Sequence, residues 1–103
     1  MPPGARRLIW APLAQKDVRS LFTYFKTVAS PDVASTIYSD IMRAADLIKE
    51  RPQLGRPRDD IKQGYRSIRT KPFLIYYRFD DRDVRILRIL HERRDIRKVL
   101  REK

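Results

Sequence analysis

Hydrophobic positions change their period along this chain, and each change marks a new kind of element. Residues Arg6 to Trp10 are short, end in an aromatic and stop at Pro12, which predicts a strand followed by a helix with proline in its first turn. Ala14, Val18, Leu21, Phe22, Phe25 and Val28 then recur at helical spacing, with Gln15, Lys16, Arg19 and Lys26 between them. Ser30-Pro31-Asp32 supplies a cap, a first-turn proline and a first-turn acid for a second helix. Its apolar face is Ala34, Ile37, Tyr38, Ile41, Ala45 and Ile48, and it ends near Arg51-Pro52. The connection between the two helices is short, so they pack as an antiparallel hairpin.

From Pro52 to Gly64 neither period holds, and two prolines and two glycines predict a loop. Tyr65 to Thr70, Phe73 to Phe79 and Val84 to His91 are rich in β-branched and aromatic residues, the last two separated by Asp80-Asp81-Arg82-Asp83. They read as three successive antiparallel strands. Asp95 is placed to cap a last short helix through Ile96, Val99 and Leu100. The predicted class is α+β: an N-terminal strand, an antiparallel helical hairpin, a three-stranded antiparallel meander completing a small curved sheet, and a short C-terminal helix. In the last strand, strict alternation puts Val84, Ile86, Arg88 and Leu90 on one face and Arg85, Leu87, Ile89 and His91 on the other. Both faces are partly apolar, which predicts a central strand with helices over one face and a second cover, such as a partner, over the other.

Length and charge sharpen this outline. A chain of 103 residues is expected to form one domain over residues 1–103, with a modest core. The formal charge is +11, and it is uneven: Met1 to Gly55 carries 8 basic and 5 acidic residues, Arg56 to Lys103 carries 16 and 8. Such an imbalance predicts a basic face that speeds encounter with nucleic acid or an acidic polypeptide. There is no cysteine, which excludes disulfides, thiolate nucleophiles and cysteine-based metal sites. Arg6-Arg7 leads into too short an apolar stretch to be an export signal, and no window approaches a membrane span, so a cytoplasmic location is expected.

Candidate chemistry is narrow. His91 is the sole histidine, so neither a metal site nor a cofactor is expected. The three glycines are scattered, which excludes phosphate-cradling loops, and no nucleophile elbow is present. What remains is a basic and aromatic set: Arg56, Arg58, Arg66, Arg69, Lys71, Arg78, Arg88, His91, Arg93 and Arg94. Metal-free RNA cleavage uses such groups, guanidiniums to stabilise a phosphorane and a histidine to move protons. Structural alternatives stand beside it: His91 as a hydrogen-bonding residue at a strand end, Tyr76 or Tyr77 as core, and Arg93-Arg94-Asp95 as a surface ion-pair turn.

Four stretches, taken together and in this order, carry a resemblance: Gly55-Arg56-Pro57-Arg58, Gly64-Tyr65-Arg66-Ser67-Ile68, Phe73-Leu74-Ile75-Tyr76-Tyr77-Arg78, and Ile86-Leu87-Arg88-Ile89-Leu90-His91-Glu92-Arg93-Arg94-Asp95. Over nearly its whole length the chain resembles the RelE/ParE superfamily of toxins of type II toxin-antitoxin systems, nearest to the ParE, or plasmid-stabilisation, branch. RelE-type members cleave messenger RNA with lysines, arginines and a tyrosine. Those positions fall here at Tyr65, Ser67, Leu74 and Val99, with Arg93 alone retained. A leucine cannot stabilise a pentavalent phosphate and a valine cannot carry a proton. The resemblance therefore implies a ParE-like, non-enzymatic toxin that binds DNA gyrase, traps its cleaved-DNA complex and is neutralised by a cognate antitoxin. That antitoxin is expected to lay an acidic C-terminal tail across the sheet, meeting Arg56, Arg58, Arg66, Arg69, Arg78, Arg93 and Arg94. No small-molecule substrate or membrane partner is implied. Two alternatives stay open: a metal-free endoribonuclease using His91 with Arg66, Arg88 and Arg93, and a degenerate toxin that only binds antitoxin.

Overall fold

The computed structural model describes residues 6–101. Strand β1 (Arg7–Trp10) leads into helix α1 (Pro12–Val28) and helix α2 (Pro31–Glu50); a 3₁₀ turn at Pro52–Leu54 and strand β2 (Arg56–Pro57) follow. Strands β3 (Arg66–Thr70), β4 (Phe73–Phe79) and β5 (Asp83–His91) and helix α3 (Ile96–Arg101) complete the chain. The sheet order is β1-β5-β4-β3-β2, with β1 parallel to β5 and the other neighbours antiparallel. Among the described residues no helix is long and apolar enough to cross a membrane.

Local chemistry accounts for the helix starts. Pro12 opens α1 where its missing N–H is not needed, and Ser30 Oγ accepts the Val33 N–H at 3.1 Å to cap α2. Ala14, Val18 and Leu21 of α1 and Ile41, Ala45 and Ile48 of α2 bury against Ile75, Tyr77, Val84, Ile86 and Ile89 of the sheet. Tyr38, expected on that face, is 42% exposed, because it packs edge-on against Phe22 at the outer rim of the hairpin, 6.1 Å between ring centroids.

Three features depart from the sequence-based outline. The loop from Pro52 to Gly64 contains a fifth strand, β2, pairing Arg56 with Ser67 and Pro57 with Arg66. Two residues are too few to show a period of two, and Pro57 fits an edge strand that lacks one donor. Second, β5 does not alternate strictly. A bulge beside Tyr76/Tyr77 sets Ile86 opposite Tyr77 but Arg88 opposite Tyr76, leaving Leu87 as the extra residue. The phase inverts there, so Val84, Ile86 and Ile89 all reach the hairpin-side core, while Leu90 joins the other face. Third, a cover for that other face comes from the chain itself: Ile96 and Val99 of α3 pack on Tyr76 and Leu90, with Ile61, Leu74 and Leu100 around them.

Two polar devices lock the sheet to its surroundings. Tyr77 is fully buried, and its hydroxyl donates to Pro52 O and accepts the Gly55 N–H, each at 2.7 Å. At the opposite side, β1 stops at Trp10 while β5 runs on. The Ala11 N–H reaches Ile86 O at 2.9 Å, and past that point the Asp17 carboxylate of α1 takes over, accepting the Ile89 N–H at 3.0 Å.

Candidate functional site

The basic residues of the carboxy-terminal half divide into those spent on the fold and those left open. Arg66 donates to Gln53 O and Gly55 O, at 3.1 and 2.7 Å, and clamps the turn before β2. Arg88 makes a two-pronged pair with Asp17 at 2.8 and 2.9 Å, both side chains 14% exposed. Arg58 lies over the Tyr76 ring and pairs with Asp60, whose carboxyl those bonds hold below the usual carboxylate range. Arg69 pairs with Glu92 at 2.8 Å. Arg94 has its backbone N–H on His91 O, and its side chain lines the groove between α1 and the end of β5. Arg56, Arg78 and Arg93 are exposed, and their side chains take no partner among the described residues. Lys71 sits exposed in the β3–β4 turn.

Arg85 completes the open set and stands outside the sequence-based candidates. It stands directly opposite Arg78 across β4 and β5. Counting outward from the Asp80–Asp83 turn would have found it, since that turn closes Phe79 on Val84 and hence Arg78 on Arg85.

The ribonuclease set is not assembled at one place. His91 ends β5 with its ring edge-on to Phe73, 5.8 Å between centroids, and its Nδ1 accepts the Arg93 N–H at 3.1 Å. Arg93 is thus its neighbour. Arg66, however, pairs with Tyr77, four residues along β4 from the Phe73 that faces His91, or about 13 Å at strand rise. Its guanidinium is turned to the Pro52–Gly55 carbonyls, and that of Arg88 to α1. Ser67 is buried, and Leu74 and Val99 belong to the apolar cluster beneath α3. At two of the positions where the RelE-type resemblance would put catalytic groups, Leu74 and Val99, this chain has packed hydrocarbon. Tyr76 and Tyr77 are both buried, at 3% and 0% exposure, so neither offers a stacking platform.

A second surface lies on the outer side of the hairpin, a groove of about 540 Å³ lined by Val18, Arg19, Phe22, Thr23 and Tyr38. Periodicity places Phe22 and Tyr38 on the core face, because spacing alone does not separate core from rim. Apolar anchors here and free arginines on the sheet are the two ingredients of a protein-binding surface. Among the described residues no cluster of acidic and histidine side chains could hold a metal ion.

Residues 8–96 match the family model described as ParE toxin of type II toxin-antitoxin system, parDE. Toxin ParE1 of Caulobacter vibrioides is 27% identical over 79 residues, 77% of this chain and 81% of that protein. Toxin ParE1 of Mycobacterium tuberculosis is 25% identical over 91 residues, 87% of this chain and 93% of that protein. Among solved structures, the chromosomal ParDE system from P. aeruginosa superposes with a TM-score of 0.74 at 21% identity, covering 85% of this chain and 97% of that one. The toxin-antitoxin complex RelBE2 from Mycobacterium tuberculosis gives 0.60 at 24%, covering 88% and 93%. These two are likenesses of fold.

Proposed function

The chain belongs to the ParE family of toxins of type II toxin-antitoxin systems, and from that premise we propose that it acts by binding: it engages DNA gyrase in the cytoplasm, traps the cleaved-DNA complex and is neutralised by a cognate antitoxin with an acidic C-terminal tail. The observation that carries this reading is that Leu74 and Val99, two of the positions a ribonuclease of this superfamily would fill with an arginine and a tyrosine, pack in the apolar cluster of Tyr76, Leu90 and Ile96. Phosphoryl-transfer catalysis needs donors aimed at developing charge, and packed aliphatic side chains cannot supply them. What the surface does supply is a net positive charge beside apolar grooves. An acidic, partly disordered antitoxin tail would be steered by the +11 field and anchored by the grooves, so its association rate should fall as salt rises.

Induction without antitoxin tests the mode of action. The expected result is filamentation with a DNA-damage response, and linear cleaved DNA when purified toxin meets gyrase. Rapid loss of translation with discrete transcript cuts would instead support cleavage, and antitoxin binding with no growth defect would leave a binding module only. His91→Ala is expected to keep wild-type toxicity within about twofold, because the imidazole contacts Phe73 and a backbone N–H and no catalytic partner converges on it. A folded His91→Ala protein that has lost all toxicity would sink the binding mode.

A further inference from the structure

The two arginines set opposite each other on β4 and β5 have a use that the fold itself does not explain. Cross-strand neighbours have their Cβ atoms about 5 Å apart, and like charges so placed destabilise a sheet. Three other arginines on the strands are matched by a carboxylate: Arg7 with Asp83 at 2.9 Å, Arg69 with Glu92, Arg88 with Asp17. Arg78 and Arg85 are not, among the described residues, and Arg85 is half-buried, which weakens the screening of its charge by water. Both line a cleft of about 210 Å³ with Phe79, Asp80 and Asp83. The two carboxylates there are already committed. Asp80 accepts the backbone N–H groups of Arg82 and Asp83 at 2.8 and 2.9 Å, and Asp83 holds Arg7.

We propose that Arg78 and Arg85 form a clamp for one carboxylate side chain of an acidic peptide, the tail of the antitoxin; the proposal rests on the toxin-antitoxin reading above. A carboxylate between two guanidiniums forms charge-assisted, planar, two-pronged bonds and removes the repulsion that the free protein carries. The cleft is smaller than the roughly 300–1,000 Å³ of a small-molecule pocket, which suits a side chain rather than a free ligand. A nucleic-acid backbone fits less well. It brings a charge about every 3.4 Å per strand, several of which would fall beside Asp80, Asp81 and Asp83, whereas one acidic side chain brings a single carboxylate to a cleft whose own two carboxylates are already bonded.

The full chain carrying Arg78→Gln, Arg85→Gln or both is titrated with a hexaglutamate peptide and, separately, with duplex DNA, with Arg43→Gln on α2 as the charge-matched control. Each single change is expected to weaken hexaglutamate binding about 3- to 10-fold, the control less than about twofold. The thermal midpoint of each clamp variant should equal or exceed that of the wild type, because removing one of two facing cations relieves repulsion; a purely structural arginine would lower it. Unchanged hexaglutamate affinity in the double variant overturns the proposal, as does a loss confined to duplex DNA or a fall in the midpoint of the single variants. The antitoxin encoded beside the toxin separates the two readings. Equal antitoxin affinity for wild type and double variant overturns the clamp and leaves the toxin-antitoxin reading intact, whereas failure of any antitoxin to bind the wild type overturns both.

Discussion

Asp17→Ala is expected to cost the fold about 3 kcal/mol, lowering the thermal midpoint by on the order of 10–20 °C. One carboxylate does three things at this point. It receives both prongs of Arg88 at 2.8 and 2.9 Å and the Ile89 N–H at 3.0 Å, on the stretch of β5 that β1 is too short to cover. Both side chains are 14% exposed, so water screens the pair little. Alanine removes the counter-charge from a mostly buried guanidinium and takes the acceptor from a strand-edge N–H at once, and each loss is of the expensive kind. Asp17→Asn, which keeps an acceptor oxygen, should lose roughly half as much. Pairing Asp17→Ala with Arg88→Met should recover part of the loss, because no charge is then left stranded. Urea unfolding of the four proteins decides it: a single Asp17→Ala variant within about 0.5 kcal/mol of wild type is incompatible with this account. Growth assays of such variants would show weak toxicity for want of folded protein, although Asp17 belongs to the scaffold.

Gly55→Ala is the second change with a large expected effect, about 2–4 kcal/mol. A Cβ at this position would collide with the Tyr77 hydroxyl and ring edge. The ring cannot step aside, since it is fully buried and its hydroxyl is held between Pro52 O and the Gly55 N–H. Tyr77→Phe should cost less, about 1–3 kcal/mol, by leaving that carbonyl and N–H unanswered. Because phenylalanine lacks the oxygen with which the new methyl clashes, the double variant should lose less than the two single losses summed. Additive losses would show that the clash lies with the ring edge, which phenylalanine keeps, and not with the hydroxyl. The same residue sets a pH dependence. Burial pushes the Tyr77 phenol above its ordinary 10.0, opposed by the Gly55 N–H and the Arg66 charge. A folded value above the unfolded one means this stabilisation is complete below about pH 10 and is lost as pH climbs through the folded value. Alkaline unfolding should therefore steepen in the wild type relative to Tyr77→Phe.

These two sites show where reading a chain residue by residue stops. Asp17 looks like one more polar position on an amphipathic helix, and its partner lies 71 residues away. Gly55 looks like loop punctuation, and the ring that requires it lies 22 residues on. The same limit governs the basic surface. Arg58, Arg66, Arg69 and Arg88 are indistinguishable in sequence from Arg56, Arg78 and Arg93, because a charge reads alike whether or not a counter-charge will fold against it. Arg85 has no sequence signal of its own, although it completes the like-charged cross-strand pair proposed above as a clamp.

By itself the sequence determined the order and kind of the elements, because helix period, the Pro12 and Ser30-Pro31 starts and the β-branched runs act within a few residues of the chain. It also carried the family, through motifs spread from Gly55 to Asp95. Only the tertiary structure decided the strand pairings, the bulge that inverts β5, the folding of α3 over the second sheet face and the division of arginines into spent and free. Each of those depends on register between segments distant in the chain, where a shift of one residue moves every side chain to the opposite face.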